Sequence, residues 1–515
     1  MKGVRNGATL FTIDPRRTAT AEWADLWLGL DVGTDIALSN TLAREIIHAG
    51  FSNQEFIRNA TTGYEAYAES VEEWTLERGS AETGVPAEAI RKMAHAFAKA
   101  EKAMICWTLG ITEHHNAVDN VLSLINLALL TGHVGKWGSG LNPLRGQNNV
   151  QGGGDMGAIP NKLPGFQDIE RDSAARLKFE RAWNCTIPPN YGWNLTEMFH
   201  AMERNELTCL YVIGENPAQS EADANHANRL LENLDCLVVQ DIFLTRTAQM
   251  ADVVLPASSS WCESEGTVTN SERRVQRVRK ALNSPGNSRD DMAIIQDLAR
   301  RMGCDWNYGE TSREIAENVW NELRSLSPMH AGMSYERLEA LGGISWPCAN
   351  EEDPGTSFLH RRLWETDSAK RGMLAPFSVV MHELPVEKLT EEFPLRLTTV
   401  RNLDNYNTGV QTSGYASPLR RREALSLSPE DGRFYGVEDG EIVKVSSRRG
   451  SIRMPVRYDK RLRPGLVSAT LHTPDDVEIN VLTIEANDPR SGTSEFKAAA
   501  VRIEKLQEPP RGTLS

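Results

Sequence analysis

No two cysteines of this 515-residue chain stand close together. The seven lie at positions 106, 185, 209, 236, 262, 304 and 348, and the smallest gap between them is 24 residues. Without a C-x-x-C pair there is neither a zinc ribbon nor a cysteine motif for an iron–sulfur cluster. An odd, scattered set of thiols fits a reducing compartment, with each thiol an inert buried group. Long apolar runs are missing too. None approaches the ~18–20 residues of a membrane span, so no membrane insertion is expected. Arg16-Arg17 is followed by no apolar segment, no secretory signal is recognisable, and a cytoplasmic location is the expectation. Positive charge is in deficit: 56 Lys and Arg face 70 Asp and Glu, a net charge of -14. That argues against nucleic acid or an anionic membrane as partner. G-x-S-x-G, P-loop and H-E-x-x-H motifs are absent, so hydrolase, NTPase and zinc-protease readings have no motif behind them.

What is present is a globular composition, 40% apolar and 24% charged, at a length that suggests about three or four domains. A strand is expected from Ala8 to Ile13, with Asp14-Pro15-Arg16 after it. Asp35 and Ser39 precede a periodic apolar run to Ile47, and Pro86 opens a helix to about Lys99. Ala103 to Trp107 reads as a strand, and Asp119 to Leu130 as a buried helix. Thr208 to Ile213, Cys236 to Gln240 and Ala251 to Leu255 are strands separated by helical stretches, which points to a parallel sheet. Ligands in such sheets sit at the carboxyl ends of strands, where the polar loops after Ile213 and Gln240 lie. Helices are expected over Arg289 to Met302 and Ser312 to Leu326. After Pro394, short alternating runs (Leu395 to Val400, Glu441 to Ser446, Ser451 to Val456, Leu466 to Leu471) read as a barrel-like β domain.

Between Thr131 and Gly157 the chain is glycine-rich and without periodicity, the texture of a functional loop. Gly152-Gly153-Gly154-Asp155-Met156-Gly157 matches G-x-G-x-x-G, but no strand is read before it, and close backbone packing explains the glycines better. Glu113-His114-His115 lacks metal-ligand spacing, and a non-metal role is expected. Arg420-Arg421-Arg422 is either a solvated loop or a phosphate contact. Arg145 stands among Gly146, Gln147, Asn148 and Asn149. A guanidinium bordered by amides and glycines suits a small planar anion, and equally a structural arginine tying the loop down.

Here the sequence resembles a known family. Gly140-Leu-Asn-Pro-Leu-Arg-Gly-Gln-Asn-Asn-Val-Gln-Gly152, followed by Asp155-Met-Gly-Ala158 and Pro160, is similar to the signature of molybdenum- or tungsten-dependent formate dehydrogenases of the molybdopterin oxidoreductase (DMSO reductase) superfamily. Ile13-Asp-Pro-Arg16, Gly33-Thr-Asp35, Gly110-Ile-Thr112, Gly214-Glu-Asn-Pro217, Val239-Gln-Asp-Ile-Phe243, Ala251-Asp-Val-Val-Leu-Pro256, Glu265-Gly-Thr267, Asn270-Ser-Glu-Arg-Arg-Val-Gln276 and Asn407-Thr-Gly409 follow in the family's order. The likeness covers essentially the whole chain. It implies two molybdopterin guanine dinucleotides clasping Mo or W, with formate and CO₂ as substrate and product. Arg145 would be the substrate-holding catalytic residue. Asp14, Arg16, Gly33, Thr34, Asp35, Leu109, Gly110, Glu113, Gly146, Gln147, Gly214, Glu215, Asn216, Gln240, Asp241, Arg401, Asn407, Thr408, Asn480 and Lys497 would contact the dinucleotides. Glu113 stands where the family more usually has Gln, and Asn405-Tyr406-Asn407 where a histidine is often seen.

The family's cluster-binding cysteines, its electron-transfer lysine and its metal-ligating Cys or selenocysteine with adjacent His have no counterpart, so no metal ligand is assigned. The expectation is that a separate N-terminal portion or subunit carries these, with a [4Fe–4S] cluster, and that an electron-acceptor subunit completes the assembly. A non-catalytic cofactor-binding subunit and a degenerate truncated pseudoenzyme are the alternatives. The expected fold class is a multi-domain α/β architecture with incomplete Rossmann-like parallel sheets and a C-terminal β-barrel-like domain. Its expected divisions are a partial α/β molybdopterin-binding domain over 1–147, a second α/β region over 148–285, a helical and irregular connection over 286–389, and a dinucleotide-binding barrel over 390–515.

Overall fold

In a computed structural model the chain is described over residues 2–260, 262–402, 405–408 and 423–506. It forms two compact units, each assembled from segments far apart in sequence. One comprises 1–141, 217–229 and 360–515, the other 142–216 and 230–359.

In the first unit, strand Phe11–Ile13 pairs in parallel with Leu26–Leu28. Helix Asp35–His48 follows. Its cap is Thr34, not Asp35 or Ser39 as the sequence suggested, and the Thr34 hydroxyl donates back to the Asp31 carbonyl at 2.7 Å. Helices Ala87–Lys99 and Ala117–Thr131 lie where expected, and the second ends at Gly132 in the left-handed conformation that glycine adopts without strain. Leu28, Leu42, Ile46, Ile90, Leu127 and Leu130 from these elements share one core.

The same unit contains a closed six-stranded barrel, in the order Leu395–Val400, Leu466–Thr470, Leu425–Leu427, Ser451–Tyr458, Ile442–Ser446, Ala499–Lys505. Alternate residues point inward, so Leu395, Leu397, Val443, Val445, Met454, Val456, Val501 and Ile503 fill its core. Closure leaves no unpaired edge.

In the second unit, Cys209–Ile213, Cys236–Asp241 and Val253–Pro256 form the expected parallel sheet, with Cys236–Asp241 in the middle. Gly266–Thr269, Arg274–Val278 and Ile344–Ser345 build a separate antiparallel sheet. Val275 and Ile344 of that sheet share a core with Trp320, Leu323 and Leu338.

The glycine-rich stretch is more regular than its composition suggested. It contains strand Gly140–Pro143 and helix Val150–Asp155. A strand does precede the G-x-G-x-x-G match, yet the glycines answer to packing. A Cβ on Gly152 would lie 1.9 Å from Asn149 Oδ1, and one on Gly154 would lie 2.9 Å from the Phe166 ring. No helix among the described residues is long and apolar enough to cross a membrane.

Candidate cofactor and substrate site

The candidate residues divide between the two units. In the first, they are positioned by the ends of strand Phe11–Ile13 and helix Asp35–His48, by the turn before helix Ala117–Thr131, and by the barrel. Asp14 follows its strand directly, and its carboxylate accepts the Arg16 N–H at 2.8 Å. Burial pushes the Asp14 carboxyl up, while Arg16 and Lys497 pull it the other way. Gly33 adopts φ +85° and lies against Pro385, where an added Cβ would sit 2.6 Å from Cγ, so glycine is required there. Asp35 is also raised by burial, and no side chain of another described residue hydrogen-bonds its carboxylate. Lys497 Nζ reaches Glu113 Oε2 at 2.7 Å, the Thr399 carbonyl at 3.0 Å and the Thr399 hydroxyl at 3.2 Å. The carboxylate at 113 is therefore an ion-pair partner of the candidate lysine.

Around this pair lies a feature the sequence reading missed. His114 and His115 are adjacent, and adjacent residues on a helix diverge. Here they lie between helices Leu109–Thr112 and Ala117–Thr131, and both rings reach one buried carboxylate. His114 Nδ1 is 2.9 Å from Glu495 Oε1, and its Nε2 is 3.1 Å from the Gly110 carbonyl. His115 Nδ1 is 3.0 Å from Glu495 Oε2, and its Nε2 is 3.4 Å from Glu383. Every ring nitrogen has an oxygen within 3.4 Å, three of the four being carboxylate oxygens, a surrounding that favours the imidazolium. Burial opposes charge on His114, but Glu495 outweighs it and the pKa is raised. The hydrogen bond to Glu495 raises His115 against its own burial. Burial would raise Glu495, yet the two histidines bring it down to about 2. No single-chain spacing signal links position 495 to 114 and 115; only the fold does.

Elsewhere in this unit, Arg401 donates to Asn407 Oδ1, and the Asn407 carbonyl accepts from His472 Nδ1 at 2.7 Å. Thr408 is buried nearby in sequence. Asn480 directs its amide N–H groups to the carbonyls of Gln219 and Ser220, at 3.1 and 3.0 Å. Its side chain thus anchors main chain. Leu109 is half-buried and Gly110 exposed. Gly409 and the arginines at 420–422 lie outside the described residues.

In the second unit, the loop after strand Cys209–Ile213 carries Gly214, Glu215 and Asn216, and strand Cys236–Asp241 ends on Gln240 and Asp241. The Gly214 N–H donates to the Gln240 carbonyl at 2.8 Å. Asn216 Oδ1 accepts from the Thr247 hydroxyl at 2.8 Å. Gln240 accepts from the Tyr211 hydroxyl and donates to Asp291 Oδ1 at 2.5 Å. Burial raises both Asp241 and Asp291, and the proximity of Asp241 raises Asp291 further. Glu215 is exposed, and Gln147 is half-buried.

Arg145 is exposed in this unit. Its N–H donates to Ser271 Oγ at 3.0 Å, and its Nη2 to Gln151 Oε1 at 3.3 Å. Among the described residues its guanidinium has that neutral partner and no carboxylate. Added Cβ atoms at Gly110, Gly146 and Gly214 would meet nothing within 4 Å, so backbone at these three positions is open to a neighbour. Within the first unit, the open backbone at Gly110, the carboxylate of Asp35 and the cations Arg16, Arg401 and Lys497 have the chemistry that fits a guanine dinucleotide: carboxylate for the paired guanine N–H groups, cations for the pyrophosphate.

Comparison with known proteins agrees. The family model "Molybdopterin oxidoreductase" matches residues 1–301, and "Molydopterin dinucleotide binding domain" matches 395–500. The F420-dependent formate dehydrogenase 2 subunit alpha of Methanococcus maripaludis is 41% identical over 98% of this chain and 73% of its own length. Formate dehydrogenase H of Escherichia coli is 37% identical over 98% of this chain and 70% of its own. The assimilatory nitrate reductase catalytic subunit of Bacillus subtilis is 36% identical, with coverage of 98% and 71%. Acetylene hydratase from Pelobacter acetylenicus superimposes with a TM-score of 0.72 over 98% of this chain and 75% of its own, at 21% identity, and shares the fold.

Proposed function

Because the chain belongs to the molybdopterin oxidoreductase family, we propose that it is the cofactor-bearing chain of a formate dehydrogenase, oxidising formate to CO₂ or running the reverse. The observation that carries this reading is Arg145: an exposed guanidinium, bordered by open glycine backbone, with one neutral partner and no carboxylate among the described residues to neutralise it. A guanidinium binds both oxygens of a planar carboxylate and so fixes where the C–H bond points, which a lysine's point charge does less well. Asp14, Arg16, Asp35, Glu113 with Lys497, Arg401 and Asn407 would hold one part of a bis-molybdopterin guanine dinucleotide cofactor. Gly214 to Asn216 with Gln240 and Asp241 would hold another. When bound, the Mo or W centre would supply the acceptor for the two electrons of formate oxidation, which gives CO₂, one proton and two electrons. A cluster-bearing portion or subunit and an electron-acceptor subunit complete the pathway in this reading.

Nitrate is also a small planar anion, and the likeness to a nitrate reductase makes it the second reading. The test is dye-linked turnover by the purified, metal-loaded complex containing this chain. Formate-dependent dye reduction with release of CO₂ supports the proposal. Dye oxidation by nitrate, with no activity on formate, replaces it with the second reading. Inactivity towards both, with Mo or W and guanine nucleotide present, leaves a cofactor-carrying subunit.

A further inference from the structure

Arg145 does not hold its side chain by itself. Helix Val150–Asp155 places Gln151 and Asp155 four residues apart, hence on one face. Arg145 Nη2 lies 3.3 Å from Gln151 Oε1, and Gln151 Nε2 lies 3.3 Å from Asp155 Oδ1. The orientation of that amide is dictated by its neighbours. A carboxylate can only accept, so it takes the NH₂ end; a guanidinium can only donate, so it takes the carbonyl end. Asp155 is only 1% exposed, and its other oxygen accepts from Trp346 Nε1 at 3.2 Å. The buried His330 ring stands 3.7 Å from that oxygen. The main chain is secured as well: Ser271 holds the Arg145 N–H, and Asn149 Oδ1 accepts the Thr269 N–H at 2.9 Å.

We infer that Gln151, oriented by the buried Asp155, is a positioning residue that aims Arg145 at its anion, a role that rests on the assignment of Arg145 as substrate holder. An amide suits the task because it supports the guanidinium without neutralising it. A carboxylate at position 151 would compete with the anion for Arg145 and would stand beside Asp155 on the same helix face with like charge. Between them the glycines at 152 and 154 let the helix sit close enough to Asn149 and Phe166 to keep this geometry.

The test uses the metal-loaded complex with Gln151→Leu, Arg145→Lys and the double variant. Charge-assisted hydrogen bonds of this kind predict a loss of roughly tenfold to a hundredfold in formate kcat/KM for Gln151→Leu, at unchanged Mo or W and guanine content. In the Arg145→Lys background the same change should cost less than about twofold, because the group it acts through is gone. Equal losses in both backgrounds overturn the inference, since a merely structural role would be additive. A second readout needs no turnover: the rate at which phenylglyoxal modifies Arg145, followed by peptide mass spectrometry, with and without formate. Gln151→Leu should free the guanidinium, raising its modification rate at least threefold, and should raise the formate concentration that protects it. An unchanged modification rate overturns the relay whatever the substrate. If formate neither turns over nor protects wild type while the rate still rises in Gln151→Leu, the relay stands and the formate reading falls.

Discussion

At position 113, where the resembled family more usually has glutamine, a carboxylate faces Lys497 at 2.7 Å. Glutamine there would still accept from Nζ, and Thr399 would keep its two bonds to the lysine. Glu113→Gln should therefore cost about 1–1.5 kcal/mol of stability, the difference between a hydrogen bond to a charged acceptor and one to a neutral acceptor, and leave guanine content intact. Denaturant titration and nucleotide release from the purified protein check both. The neighbouring His114, His115 and Glu495 make a sharper statement about pH. Glu495 is held at about 2, so its contribution is present above the ordinary carboxylate range and is lost as pH falls towards that value. The histidines are raised, so theirs is present below the ordinary imidazole range and is lost as pH rises through their shifted values. The two windows overlap between about pH 4.3 and 6.5. Removing one partner of a buried ion pair costs about 3–5 kcal/mol. Glu495→Gln should show that loss within the window and a smaller one at alkaline pH in denaturant titrations of the full chain. A loss that does not vary with pH would mean the histidines are neutral there.

At the scale of elements, the barrel was legible because its strands alternate. Ile452, Met454 and Val456 against Ser451, Arg453 and Pro455 repeat with the period of the pleat. The short strand Leu425–Leu427 was not read, since three residues carry too little alternation to detect. Strand Ala499–Lys505 was missed because it opens with small residues that signal either state. Helix Val150–Asp155 was missed for a different reason. Three consecutive glycines are poor helix formers; the close approach of Asn149 and Phe166 explains Gly152 and Gly154, while nothing in the structure explains Gly153. Within the barrel, Leu397 is fully buried among Leu395, Val467 and Val501. Leu397→Ala should cost about 2–5 kcal/mol through the cavity it leaves. Thermal unfolding of the dinucleotide-loaded protein should show that loss; a change below about 1 kcal/mol would mean the barrel repacks around the gap.

At the scale of the molecule, residues distant in sequence build each compact unit, with 217–229 leaving one stretch of chain to join the other unit. A reading along the sequence recognises motifs in order but not which of them meet. Asp14, Asp35, Glu113 and Lys497 were legible as candidates, and the fold brings Glu113 onto Lys497 and Asp14 within electrostatic reach of it. Glu495, which joins the two histidines, had no local signal. Gln151 and Asp155 had one in their four-residue spacing, but it was hidden by the glycines between them. The central claim is that this chain presents an anion-gripping arginine to formate beside a dinucleotide-held metal. The measurement that tests it most directly is formate turnover by the Arg145→Lys complex, set against its Mo or W and guanine content. Two charge-assisted bonds of about 1.5–3 kcal/mol each predict a fall in kcat/KM of roughly two to four orders of magnitude with cofactor content unchanged. Near-normal turnover, or loss of the pterin instead of the rate, would contradict it.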